Sequence, residues 1–268
     1  MTATTTPVTT LITRGRFVWY DLLTTDTKAA IAFYTKLIGW GTQQFEGGQA
    51  PYTVFTVSGA GLGGVMTLPE AAAKSGVPPH WMAHISTPDL DATVAQVTKL
   101  GGQVIVPATD IPTVGRFAVF LDPQGAKFAG FQPLPSSTPR PDGPPKLLDV
   151  SWNELAATDY KKAFDFYRAL FGWEEVSETD MGAMGIYMIY GQKGDQYGGM
   201  FDKPPQMPAS AWLHYINVKD VDKVAEDVKK LGGKVVNGPM DVPGGGRIAQ
   251  CTDPQGAMFA LHAKAAGK

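Results

Sequence analysis

Histidine is the side chain whose charge changes near neutral pH without help from its surroundings, and this chain has four histidines and one cysteine. Two of them, His84 and His262, stand in apolar, strand-like runs, and each half of the chain also carries an early strand carboxylate, Asp21 or Glu154. A carboxylate beside an imidazole orients the ring and stabilises its protonated form, which makes a general acid or base. Trp19 and Trp152 lie two residues before those carboxylates. An indole there offers a flat apolar surface and one N–H donor to an aromatic ligand. Arg116 and Arg247 each follow a glycine turn and could clamp an anionic group with a guanidinium fork, or form a salt bridge. The single Cys251, in a strand-like run, reads as a packed core thiol, and His80, among prolines, as a loop residue.

The elements that must position these residues occur twice. Asp26, Phe33-Tyr34 and Gly39-Trp40 recur at one constant offset as Asp159, Phe166-Tyr167 and Gly172-Trp173. Further along, Gly63-Gly64, Trp81, Leu100-Gly101-Gly102, Gly115-Arg116 and Asp122-Pro123-Gln124-Gly125 have matching partners in the second half, ending at Asp253-Pro254-Gln255-Gly256. In each copy a helix begins at an aspartate N-cap, buries one face (Ala30, Phe33, Tyr34, Leu37; Ala163, Phe166, Tyr167, Leu170) and stops at a C′ glycine, Gly39 or Gly172. A second helix begins near Asp89 or Asp220 and stops at Gly101 or Gly232, and strand-like runs at 51–57, 64–68, 103–106 and 117–121 complete the first copy.

Proline-rich residues 133–146 form an extended linker, so the chain divides into a disordered lead-in (1–15), a first domain (16–132), the linker, a second domain (147–263) and a tail (264–268). Lys plus Arg number 23 against 25 Asp plus Glu, which removes the basic footprint of a nucleic-acid binder. No apolar run reaches membrane-spanning length, and the lone cysteine suits a reducing, cytoplasmic setting. Gly59-Ala60-Gly61-Leu62-Gly63-Gly64 formally matches a dinucleotide fingerprint, but Val65-Met66-Thr67-Leu68-Pro69 follows it instead of a helix.

An aspartate opening the helix, Phe-Tyr on its buried face, Gly-Trp at its end and an Asp-Pro-Gln-Gly turn before the last strand together resemble the vicinal-oxygen-chelate (glyoxalase/bleomycin-resistance/dioxygenase-like) superfamily. The resemblance implies an α+β fold of two tandem domains. Each would pair two βαβββ units into a curved mixed sheet, a cup with helices on the outside. It also implies where a metal would be held, at Trp19, Met82 and Ala129 in the first copy and at Trp152, Leu213 and Ala260 in the second, and none of these is a plausible ligand.

Residues two apart on a strand share a face. Trp19 therefore brings Asp21 into the first cup, Met82 brings His84, and Ala129 brings Phe131; in the second, Trp152 brings Glu154, Leu213 brings Tyr215, and Ala260 brings His262. Each cup is expected to hold one carboxylate–imidazole pair, Asp21–His84 or Glu154–His262, with the second the more polar because it adds Tyr215 where the first offers Phe131. The expected function is metal- and cofactor-free binding of a small aromatic or carbonyl compound, a metabolite or an antibiotic, for sequestration or sensing. The alternatives are a metal-independent lyase or isomerase using the pairs, and a chain in which one copy is only structural. Glyoxalase I and extradiol dioxygenase chemistry are argued against by the missing ligands. A small molecule is the expected partner, without nucleic acid or membrane, and a monomer suffices because tandem copies can pair within one chain, with a homodimer left open.

Overall fold

The computed structural model describes residues 13–47, 51–135 and 143–264. Most of the expected lead-in (1–12), the centre of the linker (136–142) and the tail from 265 lie outside the described residues. The first copy runs β1 (Phe17–Thr24), α1 (Thr27–Leu37), β2 (Gly41–Phe45), β3 (Tyr52–Val57), β4 (Ala60–Thr67), a short α2 (Glu70–Lys74), β5 (His80–Ser86), α3 (Leu90–Lys99), β6 (Gln103–Ile111), β7 (Gly115–Leu121) and β8 (Lys127–Pro133). The second repeats it as β9 (Val150–Ala157), α4 (Tyr160–Phe171), β10 (Glu174–Asp180), β11 (Ile186–Gln192), β12 (Asp195–Asp202), β13 (Ala211–Asn217), α5 (Val221–Lys230), β14 (Lys234–Val242), β15 (Gly246–Thr252) and β16 (Met258–Ala263).

Local chemistry sets the helix starts. Asp26, Asp89, Asp159 and Asp220 each turn a side-chain oxygen onto the backbone N–H three residues on, satisfying one of the donors a helix N-terminus leaves orphaned. Gly39 and Gly172 then take positive φ, 86° and 72°, and end α1 and α4 where the repeat places them. β4 starts earlier than its apolar pattern indicates, at Ala60, because glycines fill it where partners crowd: a Cβ on Gly63 would lie 2.0 Å from the Tyr20 carbonyl oxygen.

Each copy forms one mixed eight-stranded sheet, β2-β3-β4-β1-β5-β8-β7-β6 and β10-β11-β12-β9-β13-β16-β15-β14. The two βαβββ units join through antiparallel β1–β5 or β9–β13 pairing. The fold is thus the expected α+β arrangement of two tandem domains, each a pair of βαβββ units in one mixed sheet with the helices on one side of it. That side is the middle of the molecule. One core packs α1 (Phe33, Tyr34) against Val228 of α5 and Phe259 of β16, and the other packs Phe128 of β8 against Phe166, Tyr167 and Phe171 of α4. Apolar residues that alternate with the cup positions, such as Tyr20, Leu22, Ala83 and Ile85, supply the shared interior, so the two cups open on opposite outer faces. No helix among the described residues is long and apolar enough to cross a membrane.

Candidate functional site

In the first cup, β1 and β5 bring Asp21 and His84 together. Tyr52 and Trp19 donate to Asp21 Oδ1, the indole at 3.1 Å, while His84 Nε2 lies 2.8 Å from Oδ2. Both residues are nearly sealed, 7% and 4% exposed, and Met82, Val119 and Ala129 close the floor beside them. Phe131, with Phe117, packs near the imidazole, at ring separations of 6.3 and 6.1 Å.

The second cup is built around Glu154 and stays partly open to solvent there. Tyr215 donates to Glu154 Oε1 and Tyr187 to Oε2, each at 2.9 Å. The two phenol oxygens accept in turn, Tyr215 from Gln250 Nε2 at 3.0 Å and Tyr187 from Trp152 Nε1 at 2.8 Å, so the donor chain runs inward from both sides to one carboxylate. Desolvation pushes the Glu154 carboxyl above its ordinary range, against the two phenol hydrogen bonds that pull it down. Both phenols are pushed up by burial first and by the neighbouring carboxylate second.

A raised carboxyl pKa means that the folded protein holds the proton more readily than the unfolded chain. The resulting stability is fully present below the ordinary value of 4.5 and is lost as pH rises through the raised folded value. We therefore expect the parent to lose stability relative to Glu154→Gln as pH climbs from about 4.5, the gap levelling off above the folded pKa. Denaturant unfolding of both proteins from about pH 4 to about pH 8 checks this, and a gap that ignores pH would contradict it.

The expected Glu154–His262 pair does not form. His262 Nδ1 lies 3.0 Å from Ser151 Oγ instead, and burial, then Lys264, lowers its pKa. Register is the reason: Glu154 stands opposite Leu213, whereas His262 stands beside Asn217, four residues further along β13, or about 13 Å at the strand rise. In the first copy the imidazole is on β5, adjacent to β1 and diagonal to Asp21. Tyr215 occupies the corresponding place in the second.

Arg116 and Arg247 need correction as ligand contacts. Arg116 pairs with Asp91 on α3 and with Asp110, and Arg247 with Asp222 on α5 and with Asp241, at 2.6–2.9 Å. Both alternate with the cup-facing residues of β7 and β15, so they point to the helix side and their forks are already filled. His214, also on the helix side, meets Asn153 Oδ1 at 2.9 Å and is pushed down to about 3 by burial. Cys251 is fully buried and its thiol is pushed up to about 12, as suits a packed thiol. His80, expected in a loop, opens β5.

Tyr52, Tyr187 and Gln250 were not anticipated. Strand order brings the tyrosines in, since β3 and β11 reach the cup across β4 and β12, and Gln250 enters from β15 opposite Ala260. A signal was present: each tyrosine stands the same distance before a repeated glycine, Gly64 or Gly199, and lies flat across it. A Cβ on either glycine would come within 2.1 Å of the ring.

The three positions implied as metal ligands remain indole, thioether and methyl in one cup and indole, isobutyl and methyl in the other. Both indole N–H groups are spent on tyrosine or aspartate oxygens. Among the described residues no three His, Cys, Asp or Glu side chains gather as a cation site. This donor set does not fit a divalent ion.

The Glyoxalase/Bleomycin resistance protein/Dioxygenase superfamily pattern matches residues 16–129 and 150–261. "Putative glyoxylase CFP32" of Mycobacterium tuberculosis (strain CDC 1551 / Oshkosh) is 34% identical over 248 residues, covering 91% of this chain and 92% of that protein. The "Anthracycline biosynthesis protein DnrV" of Streptomyces peucetius is 31% identical over 265 residues, covering 92% of each. Among solved structures, the Mn(II)-bound glyoxalase from Novosphingobium aromaticivorans (TM-score 0.63, 17% identity, 94% of this chain and 82% of that one) shares the fold. So does the 2,3-dioxygenase LapB from Pseudomonas sp. KL28 (TM-score 0.66, 12% identity, 94% and 93%). The chain, in both of its copies, belongs to the glyoxalase/bleomycin resistance protein/dioxygenase superfamily.

Proposed function

We propose that this protein binds a small planar aromatic or carbonyl compound in its second cup without a metal, and so sequesters or senses it. The observation that carries the reading is the Tyr187–Glu154–Tyr215 arrangement on a partly open floor beside Trp152 and Leu213. An indole face suits a flat ligand, and a carboxyl flanked by phenols suits a hydroxyl or carbonyl on its edge. In the first cup Asp21 and His84 are sealed and present little polar surface to a ligand. The relatives named for anthracycline biosynthesis make planar polycyclic compounds the first probes to try. The two copies already pack on each other within one chain, which supports a working monomer.

Titration with anthraquinone-type probes in excess chelator, followed by tryptophan fluorescence and thermal shift, tests the reading. Binding should persist in chelator and weaken about tenfold or more, some 1.4 kcal/mol, in Trp152→Leu and Glu154→Gln. No ligand-dependent shift across aromatic and carbonyl probes, or binding lost to chelator, would count against it. The raised Glu154 carboxyl supports a second reading, a lyase- or isomerase-type enzyme in which Glu154 exchanges a proton with bound substrate. Turnover that survives chelator and disappears in Glu154→Gln would favour that reading.

A further inference from the structure

The first cup contains a second polar group that the carboxylate–imidazole reading leaves unused. Strand alternation puts His80 on the face of Met82, and Lys127 on the face of Ala129, at the end of the cup away from His84. Lys127 Nζ lies 3.3 Å from His80 Nε2. On its other side the imidazole has Nδ1 2.8 Å from the Pro78 carbonyl. A carbonyl only accepts, so Nδ1 carries the hydrogen and Nε2 presents its lone pair to the lysine.

Among the described residues the ammonium meets no carboxylate; its polar partner is this imidazole. Both side chains keep partial solvent access, and the partly exposed Leu23 and Leu121 stand beside them in register. The duplication supplies an internal contrast, because the corresponding positions of the second copy are Ala211 and Met258. A cation-capable pair without a counter-ion has thus arisen in one cup only.

We propose that Lys127 and His80 form a carbonyl-capturing site at this end of the first cup, in which the lysine amine condenses with a small aldehyde or ketone carrying an apolar body. His80 Nε2 takes a proton from the ammonium, and the freed lone pair on Nζ attacks the carbonyl carbon. The C–N bond forms as the carbonyl π pair moves to oxygen. A proton passes from the attacking nitrogen to that oxygen to give the carbinolamine, whose hydroxyl then leaves as water with the proton returned from His80, leaving a protonated imine on Nζ; one water is released and no redox partner is needed. Leu23 and Leu121 hold the apolar body of the carbonyl compound. Burial, which lowers the pKa of Lys127, enlarges the neutral amine fraction that this step uses. The site is independent of the second-cup reading, since it shares no residue with it.

The test is reductive trapping in the full chain with benzaldehyde and cyanoborohydride, read by peptide mass spectrometry against the exposed Lys28. Lys127 should be benzylated about tenfold faster than Lys28, and His80→Gln should bring it down to the Lys28 rate with no change in melting midpoint. Lys127→Met, which copies the second repeat, should remove the fast phase and leave second-cup binding intact. Formaldehyde, lacking an apolar body, should show little preference for Lys127. Equal rates at the two lysines, or fast labelling indifferent to His80→Gln, would overturn the proposal. So would acetate that protects Lys127 while benzaldehyde does not react there, since that marks a plain anion seat.

Discussion

Replacing Trp173 by alanine should cost about 3–5 kcal/mol of unfolding free energy, the range for deleting a large buried aromatic side chain. The indole is 1% exposed and sits where the two copies meet. Its ring lies 4.6 Å from that of Tyr190, 5.4 Å from Tyr167 and 5.5 Å from Phe17, which comes from the other copy. Its Nε1 donates to the Gly15 carbonyl at 2.8 Å, also across the copies. Alanine leaves a cavity that neighbouring rings, fixed by their own contacts, cannot collapse to fill, and it strands that carbonyl. Against a typical total of about 5–15 kcal/mol, the loss is a large fraction. Urea unfolding followed by circular dichroism measures it; a loss below about 1 kcal/mol would show that the interface relaxes around the hole. Trp152→Ala, in a partly open cup, should lose far less stability than ligand affinity.

Separated copies should fail more completely: neither residues 13–132 nor 147–268 alone should persist as a folded monomer. Every large core is shared. Phe259 packs on Phe33 and Tyr34 at 6.0 and 5.4 Å, and Phe128 packs on Tyr167 at 5.2 Å, so cutting the chain at the linker exposes a continuous aromatic face on each half. Polar ties cross as well. Tyr167 donates to Asp122 at 3.1 Å, Tyr34 to Asp253 at 3.3 Å, and Gln124 caps the α4 entrance through two 2.8 Å bonds to the Asp159 backbone. Burial already pushes Asp122 and Asp253 above the ordinary carboxylate range, and loss of the tyrosine donors would leave each with less compensation. Sedimentation and circular dichroism of each half should show self-association or an unfolded chain, and mixing the halves should restore a one-to-one complex. A monodisperse folded monomer from either half would refute this.

What the amino-acid sequence determined by itself is what short-range physics controls. A capping aspartate three residues before its backbone donor, a left-handed glycine at a helix end and apolar alternation along a strand act within a few residues, so the four helix starts, the stops at Gly39 and Gly172 and the cup faces of β1, β5, β8 and their repeats were legible. Duplication made the pattern legible twice. Strand order and register, by contrast, depend on which distant segments pair, and these decided the sites. They carried Tyr52 and Tyr187 to the carboxylates across Gly64 and Gly199, and they set His262 too far along the sheet to reach Glu154. They supplied Arg116 and Arg247 with the aspartates of the α3 and α5 first turns as partners and let Lys127 meet His80 from a neighbouring strand. A shift of two residues or one strand leaves the face of a side chain unchanged and replaces every partner it has, because face follows from local alternation and partnership from tertiary pairing.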